Sequence, residues 1–143
     1  MRPLCHLAAS LGVSAAVLAV TESWLLAFLP LAAGFFLDGD HLLDYYLSRP
    51  AKLIDFHSWS TGEYFRRTGR IFLFFHAWEH LAAWALLCLY FHWPIVGWIV
   101  GISYGLHLAM DSLGNHPDSR LFYFLSYRAA KKFKVADLCR GKF

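Results

Sequence analysis

Charge is what this sequence has least of. Asp, Glu, Lys and Arg make up 16% of its 143 residues, where an ordinary soluble domain carries about 25%. Hydrophobic residues reach 58%, aromatics 18%, and the mean hydropathy is +0.43. That balance excludes a disordered chain and predicts one dissolved in lipid rather than water. Cysteine is scarce too: Cys5 and Cys88 fall in apolar stretches, Cys139 in a basic tail, and no C-x-x-C spacing joins them. A disulfide framework and a thiolate zinc site are thereby excluded. No internal repeat, low-complexity run or Gly/Ser linker divides the chain, so residues 1–143 read as a single integral membrane domain, and nothing in the pattern calls for nucleic acid.

What is present is four apolar runs. They predict membrane spans at about residues 4–20, 24–44, 71–91 and 95–113, separated by Thr21-Glu22-Ser23, by a polar stretch from Asp38 to Arg70, and by His92-Trp93-Pro94. A bilayer core takes about 20 helical residues. The second run contains Pro30 and reaches full length only by admitting Asp38 and Asp40. An Arg before an apolar run also fits a cleaved signal peptide over residues 1–20, but the n-region is weak and no clear A-x-A site follows.

Orientation follows from where basic residues are missing. The 13 Lys and Arg are Arg2, five positions from Arg49 to Arg70 and seven from Arg120 to Lys142; the turns at 21–23 and 92–94 have none. The positive-inside rule then puts both termini, the central loop and the tail 120–143 on the cytoplasmic side of a cell inner membrane.

Ionisable groups inside spans cost about 2.5 to 3.5 kcal/mol each at mid-bilayer and face a cavity or a partner. Here they are His6 on the first span, Asp38, Asp40 and His41 in LDGDH at the end of the second, His76, Glu79 and His80 in FFHAWEHL on the third, and His107 and Asp111 in GLHLAMD on the fourth. With the orientation above, all of them fall in the cytoplasmic leaflet, whereas His92 falls on the other side. On one continuous helix, His76 and His80 would stack one turn apart with Glu79 beside them, so that two imidazoles share an ion and the carboxylate reaches a neighbouring ion or its water. Imidazole and carboxylate without thiolate suit zinc, manganese or iron, as one or two ions in a helix bundle. The Phe and Trp read mostly as lipid-facing and interfacial bulk, with DFHSWSTGEYF (55–65) open to the alternative of a re-entrant or interfacial segment over the site; His57 within it reads as a surface residue and His116 as a turn residue.

The order of these motifs resembles the YdjM-type family of bacterial inner-membrane metal-dependent hydrolases, itself distantly like zinc-dependent phospholipase C. The likeness covers nearly the whole chain. Asp38, Asp40 and His41 match the family's D-x-D-H, His80 the second His of its H-R-G-x-T-H-S, and His107 and Asp111 its G-x-x-x-H-x-x-x-D. The middle motif departs, reading H-A-W-E-H with a shorter His spacing and Glu79 added.

The resulting expectation is an all-α membrane protein, a four-transmembrane-helix bundle with a metal site near the cytoplasmic ends of its helices. It would hydrolyse a phosphoester or carboxylic ester of a lipid or amphiphilic substrate, using a divalent metal, zinc first. His6, Asp38, Asp40, His41, His76, Glu79, His80, His107 and Asp111 are the candidate ligands, with Glu79 and Asp40 the candidate catalytic carboxylates. Two rivals stand beside it: a di-iron lipid oxidase, disfavoured by the single H-x-x-x-H box, and a non-enzymatic membrane protein such as a metal-ion transporter or interaction protein, disfavoured by ligands gathered at one end of the spans.

Overall fold

A computed structural model describes residues 3–48, 55–115 and 118–139. The described residues are mostly helical, with one isolated antiparallel bridge between Arg70 and Lys134 and no β-strand. His116 and the basic residues at 2, 49, 52, 140 and 142 lie outside them.

Two long helices open the chain, α1 (Pro3–Thr21) and α2 (Trp24–Ser48), joined by a tight turn whose Glu22 has φ 54°. They pack along their length, and Gly34 of α2 meets Ser10 of α1 so closely that a Cβ there would lie 2.5 Å from the Ser10 hydroxyl. Two short helices follow, α3 (Phe56–Thr61) and α4 (Glu63–Thr68), divided by Gly62 in the left-handed conformation. Helices α5 (Trp78–Tyr90) and α6 (Pro94–Gly114) form a hairpin. Pro94 starts α6 where its missing N–H costs nothing. At Gly97 a Cβ would lie 2.8 Å from the Cys88 side chain, so glycine sets how near α5 and α6 can come. The tail is a 3-10 turn, η1 (Arg120–Tyr123), then α7 (Leu125–Ala130) and α8 (Val135–Leu138).

Two helices, Leu4–Thr21 and Trp24–Leu47, are long and apolar enough to cross a membrane. The expected third span at 71–91 is corrected by the structure. Residues 71–77 are not helical, and α5 has 13 residues, a length of about 20 Å that falls short of a hydrocarbon core of about 30 Å. The fourth expected run is a helix of 21 residues, although its inward His107 and Asp111 dilute its apolar character.

The buried core lies at one end of these helices. Leu37 and Tyr45 of α2, Tyr64 and Phe65 of α4, Ile71 and Leu73 of the loop, Tyr104 and Leu108 of α6, and Phe122, Tyr123 and Leu138 of the tail pack into one cluster. The tail is tied in by the backbone as well. Ile71 N–H donates to Phe133 O at 2.9 Å and Val135 N–H to Gly69 O at 3.0 Å.

Candidate metal centre

The residues of the site come from four places in the chain, and the loop 71–77 is the least expected. Its backbone runs irregularly through the interior, where every unsatisfied N–H or C=O is costly. Side chains supply the partners. Asp44 Oδ2 accepts the N–H groups of Phe72 and Leu73, both at 3.0 Å. Asp40 accepts those of Phe74 at 3.0 Å, Phe75 at 2.6 Å and His76 at 3.2 Å. On the carbonyl side, Arg128 of α7 donates to Phe72 O, His76 O and Leu73 O at 3.1, 3.0 and 2.8 Å. The Tyr104 hydroxyl donates to Phe75 O and Ala77 O. Leu73 is held at φ 41°, a strained value for a branched residue. This loop exists because two carboxylates, a guanidinium and a phenol replace the helical ladder.

The loop delivers His76 to the site fully buried. His76 Nδ1 faces Asp40 Oδ2 at 3.2 Å, which leaves Nε2 pointing the other way. There it meets His107 Nε2 at 3.2 Å and Asp111 Oδ2 at 3.4 Å. His107 Nε2 in turn lies 3.6 Å from Asp111 Oδ2 and 3.5 Å from Asp38 Oδ1. The second oxygen of Asp111 is held separately: Oδ1 faces His6 Nε2 at 3.1 Å and accepts from Asn115 Nδ2 at 3.0 Å. The His6 and His107 rings stack at 4.0 Å.

Two groups, the buried His6, His107 and Asp111, and the part-buried Asp38 with buried His76 and His107, therefore offer donor atoms close enough together to hold a metal ion. The spacing can be tested against coordination geometry. Ligand atoms about 2.05 Å from a tetrahedral zinc lie about 3.3 Å from one another, and the four contacts around the two Nε2 atoms span 3.2 to 3.6 Å. The chemistry fits too. Two imidazole nitrogens facing each other beside a carboxylate oxygen offer lone pairs that a single cation can accept together. Asp40 on His76 Nδ1 is the carboxylate–histidine arrangement that holds a ligating imidazole in one tautomer.

Convergence of residues far apart in sequence holds for His6, Asp38, His76, His107 and Asp111, and Asp40 joins them as the support of His76. His41 stands beside the site: its Nδ1 lies 3.2 Å from the Tyr64 hydroxyl, which donates to His41 O, and its ring is 5.0 Å from that of His76. Burial holds the Tyr64 phenol above its usual pKa, so it acts as a neutral hydrogen-bonding group there. Tyr64 is thus the part of segment 55–65 that reaches the site, while His57 is exposed.

Two expectations are corrected. His76 precedes α5 rather than lying on it, so the helical pairing of His76 with His80 does not form. The His80 ring packs against Phe74 and Phe75 at 4.8 and 6.3 Å and belongs to neither ligand group. Glu79 turns to the tail, where its carboxylate accepts the N–H of Leu125 and of Ser126, both at 2.9 Å, and the Ser126 hydroxyl at 2.7 Å. It caps α7 from a distance. The sequence pattern does not single out Asp44, Arg128, Tyr104, Asn115 or Tyr64, all of which support the site. Asp44 had a signal, as a third acid of α2 one helical turn beyond Asp40; a buried Arg inside a basic tail had none.

No protein-family model, curated protein or solved structure matches this chain.

Proposed function

We propose that this protein is a membrane-embedded, zinc-dependent hydrolase of lipid or amphiphile esters, of the YdjM type, with its ion held by His76, His107 and Asp111. The observation that carries the reading is the convergence of two imidazole Nε2 atoms and a carboxylate oxygen at 3.2 to 3.6 Å from one another, each buried, with His76 held from behind by Asp40 and Asp111 by His6 and Asn115. His107 belongs to both candidate groups, and this reading takes one ion per chain, with His6 facing Asp111 Oδ1. Three protein ligands and an open position are the pattern of catalytic rather than structural zinc.

Bound zinc lowers the pKa of a coordinated water towards neutrality and polarises an ester or phosphoryl oxygen. The remaining work falls to side chains. Asp38 is the open side of the site: its side chain is 27% exposed where His76, His107 and Asp111 are at 3% or less. Its Oδ1 is the proton acceptor in this reading, a role that passes to it from Glu79. Asp40 and the Tyr104 hydroxyl hold the His76 loop still, and the buried apolar cluster keeps bulk water from that flank.

A membrane setting accounts for the apolar side chains that point outwards on the long helices, among them Leu4, Leu11, Trp24, Leu25, Leu89 and Trp98, since contiguous exposed apolar surface is unfavourable in water. By the positive-inside rule, the distribution of Lys and Arg favours the cytoplasmic face for the site's end of the helices. There a lipid presents its ester at the headgroup while its chains stay in hydrocarbon.

The test is hydrolysis by protein reconstituted in vesicles, offered phosphodiester and carboxylic ester lipids with and without chelator. Release that chelation stops, that Asp38→Asn lowers by about 10² to 10⁴ without loss of metal and that His107→Ala abolishes with the metal supports the reading. Stoichiometric zinc with no hydrolysis of either class would make the protein a binder or carrier of the ion instead.

A further inference from the structure

We infer that the C-terminal segment 119–139 is a working part of the metal centre, with Arg128 the positioning residue for His76, so that docking of this segment and occupancy by the ion favour each other. The inference rests on the metal reading above and adds a partner to it.

Three contacts join the segment to the site. Arg128 is completely buried, and its guanidinium is spent on carbonyls: Phe72, Leu73 and His76 of the loop, and Phe122 of its own segment at 2.6 Å. The His76 carbonyl belongs to the residue whose Nε2 faces the ion position, so a group from α7 sets the backbone of a ligand. Asp111 is reached by a second route. Asn115 Nδ2 donates to Asp111 Oδ1 at 3.0 Å and to the Tyr123 hydroxyl of η1 at 2.9 Å. The third contact returns the grip: Glu79, three residues after His76, accepts from Leu125 and Ser126 at the start of α7. The segment thus touches the supports of two ligands and is itself held by the helix that follows the ligand loop.

Burying a guanidinium is costly, and burial draws the Arg128 pKa below its ordinary value, while the Asp40 and Glu79 carboxylates oppose the shift. The cation remains charged throughout. A structure accepts that cost where the planar fork does what a point charge does not, gripping several carbonyls at fixed angles. The ion binds the arrangement in which His76 and Asp111 are set, and the docked segment sets it. By linkage, each then strengthens the other by the same factor.

The experiment uses the full chain in detergent micelles with Co²⁺ as the probe, read by its visible absorption and by amide hydrogen exchange over 119–139. Co²⁺ is expected to slow exchange in that segment. Arg128→Lys is expected to weaken Co²⁺ about 10- to 100-fold, the usual cost of losing a group that orients a ligand, and to change the absorption of whatever Co²⁺ still binds. Should that variant fail to fold, Glu79→Gln loosens the segment from the other side and is expected to move affinity and exchange in the same direction by less. If wild-type protein binds Co²⁺ and His107→Ala abolishes it, while exchange is indifferent to the ion and the foldable tail variants bind as wild type, the coupling is wrong and the metal site stands. If wild-type protein takes no Co²⁺, both are wrong.

Discussion

The two ends of the long helices are built on opposite terms. At one end, α2 buries Leu37, Asp40, Asp44 and Tyr45, and α6 buries Ser103, Tyr104, His107, Leu108 and Asp111. At the other end, Trp24, Leu25 and Phe28 of α2 and Ile95 and Trp98 of α6 are exposed, and α5 contains no buried residue at all. The polar end is closed by the protein itself: each carboxylate and each turn of irregular backbone finds its partner inside the chain. At the apolar end the helices pack on one another, burying Ala27 and Ile99, while their outer faces are left to the surroundings. The buried carboxylates and the irregular backbone are thus gathered where loop, α4 and tail supply partners, and the shafts carry mainly side chains that lipid can cover.

The largest effect expected from breaking this contrast is at the polar end. His107→Ala/Asp111→Ala removes two donors of one ion position, and metal affinity should fall by more than 100-fold, since losing mere supports of a ligand costs about 10 to 100-fold. His92→Ala, in the exposed turn between α5 and α6, should leave affinity unchanged in the same titration. Equal losses in the two proteins would erase the distinction between the ends.

Asp40→Asn comes next. The variant keeps the shape but loses the charge that three backbone N–H groups and His76 Nδ1 share. Affinity should fall about 10- to 100-fold, with exchange of amides 74–76 accelerated. Unchanged affinity would mean that the loop holds His76 without its carboxylate.

Smaller still is Glu79→Gln. Read as the cap of α7, it should cost about 1 kcal/mol in unfolding, with metal affinity down less than tenfold and turnover largely kept. A loss of 10² or more in turnover at full metal occupancy would return Glu79 to the role of general base.

How much of this was legible in advance differs by residue and for physical reasons. His107 and Asp111 share one face of a continuous helix, and Asp38 and Asp40 extend α2, so spacing alone places them. Their union with His6 follows from charge asymmetry, because assigning all basic residues to one side puts the candidate His, Asp and Glu of the spans in one layer. Residues 71–77 defeated that logic. FLFFHA is as apolar as any helix interior, and its backbone leaves the helix only because Asp40, Asp44, Tyr104 and Arg128, brought from afar, out-compete the local ladder. The helical pairing of His76, Glu79 and His80 failed with it. Arg128 was hidden for a related reason: a basic residue among basic residues gives no sign of being buried.

At the bare end, Leu89→Ala should change almost nothing. Leu89 is 72% exposed, and substitution away from packed features moves stability by less than about 0.5 kcal/mol; metal affinity should match wild type. A loss of 2 kcal/mol or more in micelles would reveal a protein partner on that face instead of lipid.

The central claim, that His76, His107 and Asp111 hold one ion, is tested most directly by X-ray absorption at the zinc edge of the purified, zinc-loaded protein, together with its metal-to-protein ratio. One zinc per chain is expected, with nitrogen and oxygen neighbours at about 2.0 to 2.2 Å and the outer scattering of two imidazoles, falling to that of one in His76→Ala. A protein that retains no zinc, or a zinc whose neighbours include no imidazole, would contradict it.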